Sequence, residues 1–227
     1  HKLRTEGGVG VPLVATNRIN MPEVAEKVLA DGHADLVSMA RPFLADPFLL
    51  TKAMAEREEE INTCIACNQA CLDHTFQARR ASCLVNPRAG YETELHLDAP
   101  AATAERIAVV GGGPAGLAFS TTAARRGHDV TLFESSAAVG GQFNLAKRVP
   151  GKAEFYETIR YFKKELALAG VDVKLETRAT VDDLASFDKV VLATGVTPRP
   201  LSIPGEDHPK VMSYIDVLTG RRRAGRT

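Results

Sequence analysis

The chain has 227 residues, enough for one large domain or two modest ones, and 44% of them are hydrophobic, as in an ordinary globular protein. Lysine plus arginine and aspartate plus glutamate both number 28, so the formal net charge is zero. That balance gives no electrostatic reason to expect nucleic acid or an anionic membrane as a partner. No apolar run approaches the roughly 20 residues that a membrane-spanning helix needs.

The first 57 residues alternate between short apolar runs and amphipathic stretches. The predicted strands are 11–16 and 34–40, and the predicted helices are 21–30 and about 46–57. Asn20 is expected to cap the first helix and Gly32 to end it, while Arg41 and Pro42 end the second strand. This strand–helix–strand–helix order predicts an α/β fold with parallel strands.

A polar, alanine-rich segment, 91–105, is predicted to be a linker between two domains. After it the alternating pattern starts again. The predicted strands are 107–110, 130–133, 171–175 and 189–193, and the predicted helices are 114–126 and 152–169. A second α/β unit is therefore expected over 106–227.

A glycine pattern joins the first strand and helix of this second unit. Gly111, Gly113 and Gly116 fit G-x-G-x-x-G, which permits a tight turn, close approach to a pyrophosphate and close helix–strand packing. Glu134 ends the next strand, where a carboxylate accepts hydrogen bonds from ribose hydroxyls and repels a 2′-phosphate, so NADP is disfavoured here. The pattern predicts a dinucleotide site, with a glycine-rich turn that binds nothing as the alternative.

All four cysteines lie within twenty residues, with the spacing Cys64-x2-Cys67-x3-Cys71-x11-Cys83. One tight group in an otherwise cysteine-free chain indicates a metal site in a reducing compartment, and we expect a cytoplasmic protein. A close triplet plus one distant cysteine favours a [4Fe–4S] cluster, and four-thiolate zinc remains the alternative. The neighbouring Asn68 and Gln69 are candidates to donate hydrogen bonds to cluster sulfur.

Three stretches carry a family resemblance. The string Cys-Ile-Ala-Cys-Asn-Gln-Ala-Cys-Leu-Asp at 64–73 and Ser-Cys-Leu-Val-Asn-Pro-Arg at 82–88 resemble bacterial NADPH-dependent 2,4-dienoyl-CoA reductases. Those enzymes belong to the old yellow enzyme-like reductases that contain an iron–sulfur cluster, with trimethylamine dehydrogenase as a cousin. Gly-Gly-Gln at 140–142 and Ala-Thr-Gly at 193–195 resemble flavoproteins that bind two dinucleotides, which implies FAD as the nucleotide.

The resemblance implies the order of segments. Residues 1–57 would be the last βα units of an FMN-binding TIM barrel, 58–90 the cluster loop, 91–105 the linker, and 106–227 a truncated, Rossmann-like FAD domain. By this resemblance the NADPH domain would lie outside this chain, which we expect to be an internal fragment. The implied FMN contacts are Arg18, Ala40 and Arg41, and the cluster ligands are Cys64, Cys67, Cys71 and Cys83. The FAD contacts are Gly111, Gly113, Ala115, Gly116, Glu134, Gln142, Lys152 and Ala179.

The resemblance also implies a reaction. Electrons would pass from NADPH through FAD and the [4Fe–4S] cluster to FMN, and reduce a C=C bond of a 2,4-dienoyl-CoA in fatty acid β-oxidation. The substrate would be an unsaturated acyl-CoA, no catalytic residue would lie in this chain, and the fragment alone would be inactive. An enoate reductase, a trimethylamine dehydrogenase-like enzyme and an inactive zinc-bound fragment are the alternatives.

Overall fold

The structure, a computed structural model, describes residues 2–199 and 201–225. The chain divides into two compact units, an amino-terminal unit of residues 1–97 and a carboxy-terminal unit of residues 98–227. Within the described ranges, no helix has both the length and the apolar character needed to cross a membrane.

The amino-terminal unit pairs two short parallel strands and surrounds them with short helices. Its elements are α1 (Lys2–Thr5), β1 (Val14–Thr16), α2 (Pro22–Ala30), β2 (Leu36–Ser38), α3 (Arg41–Ala45), α4 (Leu49–Met54), a 3₁₀ turn (Glu58–Glu60) and α5 (Leu72–Phe76). The register places Val14 beside Leu36 and Thr16 beside Ser38. The carboxyl ends of β1 and β2 therefore lie side by side, and the loops that follow them share one edge.

Three local predictions for this unit are wrong. Asn20 does not cap α2: Met21 is the N-cap residue, and the Asn20 amide donates instead to the Cys64 carbonyl at 3.0 Å. Pro42 does not separate a strand from a later helix, because α3 already begins at Arg41 and a proline is tolerated in the first helical turn. The expected single helix over 46–57 is α4 alone, and Asp46 lies before it with a buried carboxylate.

The carboxy-terminal unit is built on a four-stranded parallel sheet in the order β5-β4-β3-β6. Its elements are β3 (Arg106–Val110), α6 (Pro114–Arg125), β4 (Asp129–Phe133), α7 (Phe143–Ala146), α8 (Phe155–Leu168), β5 (Asp172–Lys174), α9 (Val181–Leu184), β6 (Lys189–Leu192) and α10 (Tyr214–Thr219). The expected α/β fold with parallel sheets is confirmed. Short helices α7, α9 and α10 were not predicted, since four to six residues carry little helical periodicity.

The core of this unit forms because β3 and β4 are apolar and β-branched on both faces, as central parallel strands are. Ile107, Val109, Val130 and Leu132 pack with Leu117 of α6 in one cluster, and each is at most 3% exposed. The two long helices contact each other, and an ion pair joins Arg125 of α6 to the buried Glu165 of α8. The last turn of α6 is thereby tied to α8.

Candidate functional site

The four cysteines line one cleft of the amino-terminal unit. The cleft is partly open to solvent, and its other lining residues are Arg41, Leu44, Ile65, Ala66, Asn68, Leu84 and Val85. All four thiols are half-buried, and none forms a disulfide. The cysteines that the sequence singled out are therefore brought together by the fold, although 64 and 83 are far apart along the chain.

The loop that carries the first three cysteines is bent by two non-glycine residues in the left-handed region. Ala66 has φ 52° and Asn68 has φ 62°, conformations that cost a β-carbon-bearing residue free energy. The main-chain N–H of Ser82 donates to the carbonyl of Ala70 at 2.7 Å, which brings the segment of the fourth cysteine beside the third. Sharp bends of this kind turn successive side chains of one short loop toward one cleft.

Burial raises the pKa of two of the four thiols. It raises the pKa of Cys83 to about 11, a rise that the nearby main-chain N–H groups of Val85 and Asn86 oppose. Burial also raises the pKa of Cys64, against a hydrogen bond from the Ala66 N–H. Main-chain N–H groups beside a thiol favour its charged, thiolate form.

A buried polar cluster supports the cleft from behind, and sequence reasoning missed it. Asp46, 3% exposed, accepts hydrogen bonds from the N–H of Phe48 at 2.9 Å, the Lys52 ammonium at 2.6 Å and the N–H of Asn62 at 2.8 Å. The Lys52 ammonium also donates to the Glu60 carbonyl at 2.7 Å. No sequence pattern predicts this cluster, because its members lie on separate segments and are common surface residue types.

Arg41 links the cleft to the edge at which β1 and β2 end. Its guanidinium donates to Asn68 Oδ1 and to Asn17 Oδ1, both at 2.7 Å. Asn17 and the predicted FMN residue Arg18 follow β1 with left-handed backbones, at φ 72° and 60°, and Arg18 is exposed. Ala40 is the exposed N-cap residue of α3. The three predicted FMN residues thus lie in the two loops at one strand edge, where α/β folds bind ligands.

The two metal centres expected from the sequence, a single zinc ion and a [4Fe–4S] cluster, differ in how closely their thiolates must converge. A zinc ion needs four sulfurs at about 2.3 Å from one point, and the described residues hold no group of three or more Cys, His, Asp or Glu placed to bind one metal ion. A cluster offers each thiolate a different iron, so the four thiols need only line a common cleft. Asn68 lines that cleft with its oxygen accepting from Arg41, whereas Gln69 is exposed.

In the carboxy-terminal unit, the three fingerprint glycines are required by the packing around them. A β-carbon on Gly111, whose φ is 112°, would lie 2.3 Å from the Ala193 carbonyl oxygen, and one on Gly116 would lie 1.9 Å from the Gly111 oxygen. A β-carbon on Gly113 would find its nearest neighbour, Gly141 Cα, at 4.0 Å. The first and third glycines therefore serve the fold, and the second leaves space beside the N-terminus of α6.

Three loops meet at this end of the sheet. Glu134, 7% exposed, accepts the N–H of Gly112 at 2.8 Å with one carboxylate oxygen and the N–H of Ser136 at 2.7 Å with the other. The Gln142 amide donates to the Val196 carbonyl at 2.7 Å. Each oxygen of a carboxylate has two lone-pair positions, so Glu134 holds the glycine loop and retains capacity for ribose hydroxyls.

The remaining predicted FAD residues are Ala115, Lys152 and Ala179. Ala115 is exposed in the first turn of α6, and no side chain caps that turn within the described chain. The N–H groups of the turn and the helix dipole suit a phosphate there. Lys152 places its ammonium over the Phe155 ring at 5.4 Å, and Ala179 lies half-buried between β5 and α9. In the part of the chain described, neither of these two is hydrogen-bonded to the glycine loop.

Two family models match the chain. Residues 105–224 match the model described as pyridine nucleotide-disulphide oxidoreductase. Residues 2–60 match the model described as the NADH:flavin oxidoreductase / NADH oxidase family. The two models cover the predicted dinucleotide unit and the predicted FMN-binding segment, respectively.

Individual relatives match nearly the whole chain. It is 44% identical over 223 residues to a metal reductase from Desulforamulus reducens, covering 96% of this chain and 33% of that protein. It is 39% identical over 218 residues to an NADH oxidase from Thermoanaerobacter brockii, covering 94% and 34%. A solved structure of a 2-naphthoyl-CoA reductase in complex with 2-naphthoyl-CoA matches with a TM-score of 0.89 and 39% identity, covering 97% and 34%.

The chain therefore spans about a third of the length of these relatives. The expected kinship with flavin- and pyridine-nucleotide-dependent oxidoreductases is confirmed at the level of the family. Because the matching model covers more than half of the residues, the chain belongs to the pyridine nucleotide-disulphide oxidoreductase family.

Proposed function

We propose that the chain is part of an iron–sulfur flavoprotein that uses NADPH to reduce a C=C bond conjugated to a CoA thioester, with a 2,4-dienoyl-CoA as substrate. When bound, FAD, the [4Fe–4S] cluster and FMN supply the electron transfer, and the protein supplies placement and tuning. The observation that carries the proposal is the convergence of four unpaired cysteines on one cleft.

The role of the amino-terminal unit follows from the cleft and its connection to the strand edge. Cys64, Cys67, Cys71 and Cys83 would hold the cluster. Arg41 would couple the positions of the cysteine loop and the flavin loops, since its rigid guanidinium donates to Asn68 on one side and to Asn17 on the other. Arg18 lies in the same strand-edge loop as Asn17 and is a candidate for binding the FMN phosphate.

The role of the carboxy-terminal unit is to bind FAD. Gly113 leaves room for a pyrophosphate at the N-terminus of α6, and Glu134 presents a carboxylate for ribose hydroxyls at the end of β4. The glycine loop lies at the carboxyl ends of the paired strands β3 and β6, between which the strand order changes direction, and parallel sheets bind ligands at such positions. A carboxylate in that place supports FAD over NADP, so the NADPH site would lie elsewhere in the whole protein.

The choice of substrate rests on the sequence of the cysteine loop and on one structurally similar enzyme. The cysteine loop resembles 2,4-dienoyl-CoA reductases, and one similar structure is a reductase solved with an aromatic acyl-CoA. A conjugated thioester accepts a hydride at its β- or δ-carbon because the carbonyl stabilises the resulting negative charge. Both observations support an unsaturated acyl-CoA as the electron acceptor.

The experiment is a count of iron, zinc and acid-labile sulfide in protein purified without oxygen, repeated with Cys67→Ser. About four irons and four sulfides for each chain, lost in the variant, support the proposal. NADPH oxidation that depends on added 2,4-dienoyl-CoA is then the activity to measure in the full-length protein. One zinc and no sulfide in a folded protein would show that the cysteines bind a structural zinc ion, and would refute the electron-transfer role.

A further inference from the structure

The turn formed by Gly140 and Gly141 borders the space that Gly113 leaves beside α6. The nearest neighbour of a β-carbon on Gly113 is Gly141 Cα, at 4.0 Å. The main-chain N–H of Gly140 donates to the Gly112 carbonyl at 2.7 Å, which fastens the turn to the glycine loop. The position of this turn therefore sets one wall of the predicted pyrophosphate site.

The same turn carries two consecutive main-chain N–H groups that lack an acceptor. Within the described ranges, the N–H groups of Gly141 and Gln142 donate to no protein atom. Gly141 has a left-handed backbone, with φ 50°, and Gln142 a right-handed one, with φ −68° and ψ −13°. Successive N–H groups on two residues of opposite hand form a concave site that attracts anions. The turn therefore has the donors and the backbone shape of a phosphate site.

The Asn144 side chain fixes this turn to the hydrophobic core. Its Nδ2 donates to the carbonyl of Val139 at 3.0 Å, and Val139 is a core residue that is 4% exposed. The main-chain N–H of Asn144 donates to the Gly141 carbonyl at 3.1 Å, so Asn144 is bonded to both sides of the turn. A β-carbon on Gly140 would lie 2.7 Å from Asn144 Nδ2, so the amide fills the space that a side chain at 140 would need.

We propose that Asn144 is a positioning residue for the FAD pyrophosphate, which holds the Gly140–Gly141 turn so that the N–H groups of Gly141 and Gln142 are ready to donate to a phosphate. This inference rests on the proposed function, because it assumes that the carboxy-terminal unit binds FAD. A turn that is already held on both sides loses little freedom when the ligand binds, and that preorganisation increases affinity.

The test compares Asn144→Ala and Asn144→Asp with the wild-type protein, in the full-length protein freed of flavin. The alanine removes the amide, and the aspartate keeps its shape while setting an acceptor against the Val139 carbonyl. Arg148→Met is the matched control, because it removes another side-chain donor to a carbonyl from the same segment, the 2.9 Å bond to Leu218. The measurements are FAD affinity by fluorescence titration and the phosphorus NMR spectrum of the protein saturated with FAD.

Both Asn144 variants should bind FAD about tenfold more weakly, the effect of one hydrogen bond lost from a partly buried acceptor. The pyrophosphate resonances of bound FAD should move toward those of free FAD, a change that a merely structural role of Asn144 would not produce. The control should match the wild-type protein in both measurements.

Three results overturn the role of Asn144 and leave the proposed function standing. They are wild-type affinity in a folded Asn144→Asp, weaker binding with unmoved pyrophosphate resonances, and equal changes in Arg148→Met. A wild-type protein that does not bind FAD overturns the proposed function, and this inference with it.

Discussion

The steric role of the fingerprint glycines predicts that two similar alanine substitutions act on different properties. Gly116→Ala places a methyl group 1.9 Å from the main-chain oxygen of Gly111, whereas ordinary contact begins at 3.4 Å. The methyl of Gly113→Ala meets Gly141 Cα at 4.0 Å, and the backbone at this position, with φ −78° and ψ 178°, is open to any residue. The first change should disrupt the fold, and the second should disrupt the ligand site alone.

The size of the first effect follows from the overlap. Relief requires a separation of about 1.5 Å between α6 and the turn after β3, and both sides of the contact are main chain in a close-packed core. Overpacking by a methylene costs about 1–3 kcal/mol when side chains adjust, so a backbone overlap belongs at the upper end, about 3 kcal/mol. At about 1.4 kcal/mol for each tenfold change, local opening becomes more than 100-fold more frequent.

Hydrogen exchange measured by mass spectrometry on flavin-free protein reads this local opening, because peptides that cover β3 and α6 report the amides concerned. Gly116→Ala should exchange about 100-fold faster there and unchanged in the amino-terminal unit. Gly113→Ala should keep wild-type exchange and lose at least tenfold in FAD affinity, since its methyl occupies the approach of the pyrophosphate. Wild-type exchange in Gly116→Ala, or wild-type FAD affinity in Gly113→Ala, would refute the steric assignment.

Three further changes have expected outcomes. Asp46→Asn leaves the half-buried Lys52 ammonium without its counter-charge and should lower the free energy of unfolding of the amino-terminal unit by about 3 kcal/mol in urea titrations. Glu134→Gln replaces one acceptor by a donor beside the glycine loop, and should weaken FAD binding about tenfold by fluorescence titration. The Thr180 side chain lowers the pKa of Asp183, so Thr180→Val should return that pKa toward 3.8 in a carboxyl NMR titration.

The sign of the last effect is set by the direction of the shift. Because the pKa of Asp183 is lowered in the folded chain, its capping bond to Thr180 contributes stability above pH 3.8, and the contribution is lost as the pH falls through the lowered pKa. An unshifted Asp183 in the wild-type protein would contradict this capping bond. For Asp46→Asn, the control is Lys27→Met, which removes an exposed ion pair and should leave the free energy of unfolding nearly unchanged. Equal losses in those two variants would contradict the assignment of a buried charge pair.

Local chemistry made much of the fold predictable from sequence. Strands β3 and β4 are runs of apolar and β-branched residues, and the glycines after β3 demand a turn into a helix, so the sheet and α6 lie close to where the pattern predicts them. The helix-ending glycines were predictable for the same reason: Gly32 and Gly170 follow α2 and α8 with φ of 66° and 70°.

The rest depended on contacts between distant parts of the chain. Asn20 has the chemistry of an N-cap, and its sequence position favoured that role, but the Cys64 carbonyl, 44 residues later, takes its amide instead. The Asp46 carboxylate is buried because Asn62 and Lys52 donate to it, and no periodic pattern signals such a meeting. The metal-site prediction for the cysteines needed only their spacing along the chain.

The contact between Gly111 and Ala193 has a consequence for synthesis. The turn that begins the dinucleotide loop is shaped against the main chain of residues 193 and 194, and β3 pairs with β6 immediately before them. When the three fingerprint glycines leave the ribosome, the residues that fix their conformation, 193 and 194, have therefore not yet been synthesised. The loop reaches its final shape only after about eighty more residues have emerged, so nascent chains should acquire nucleotide affinity late in translation.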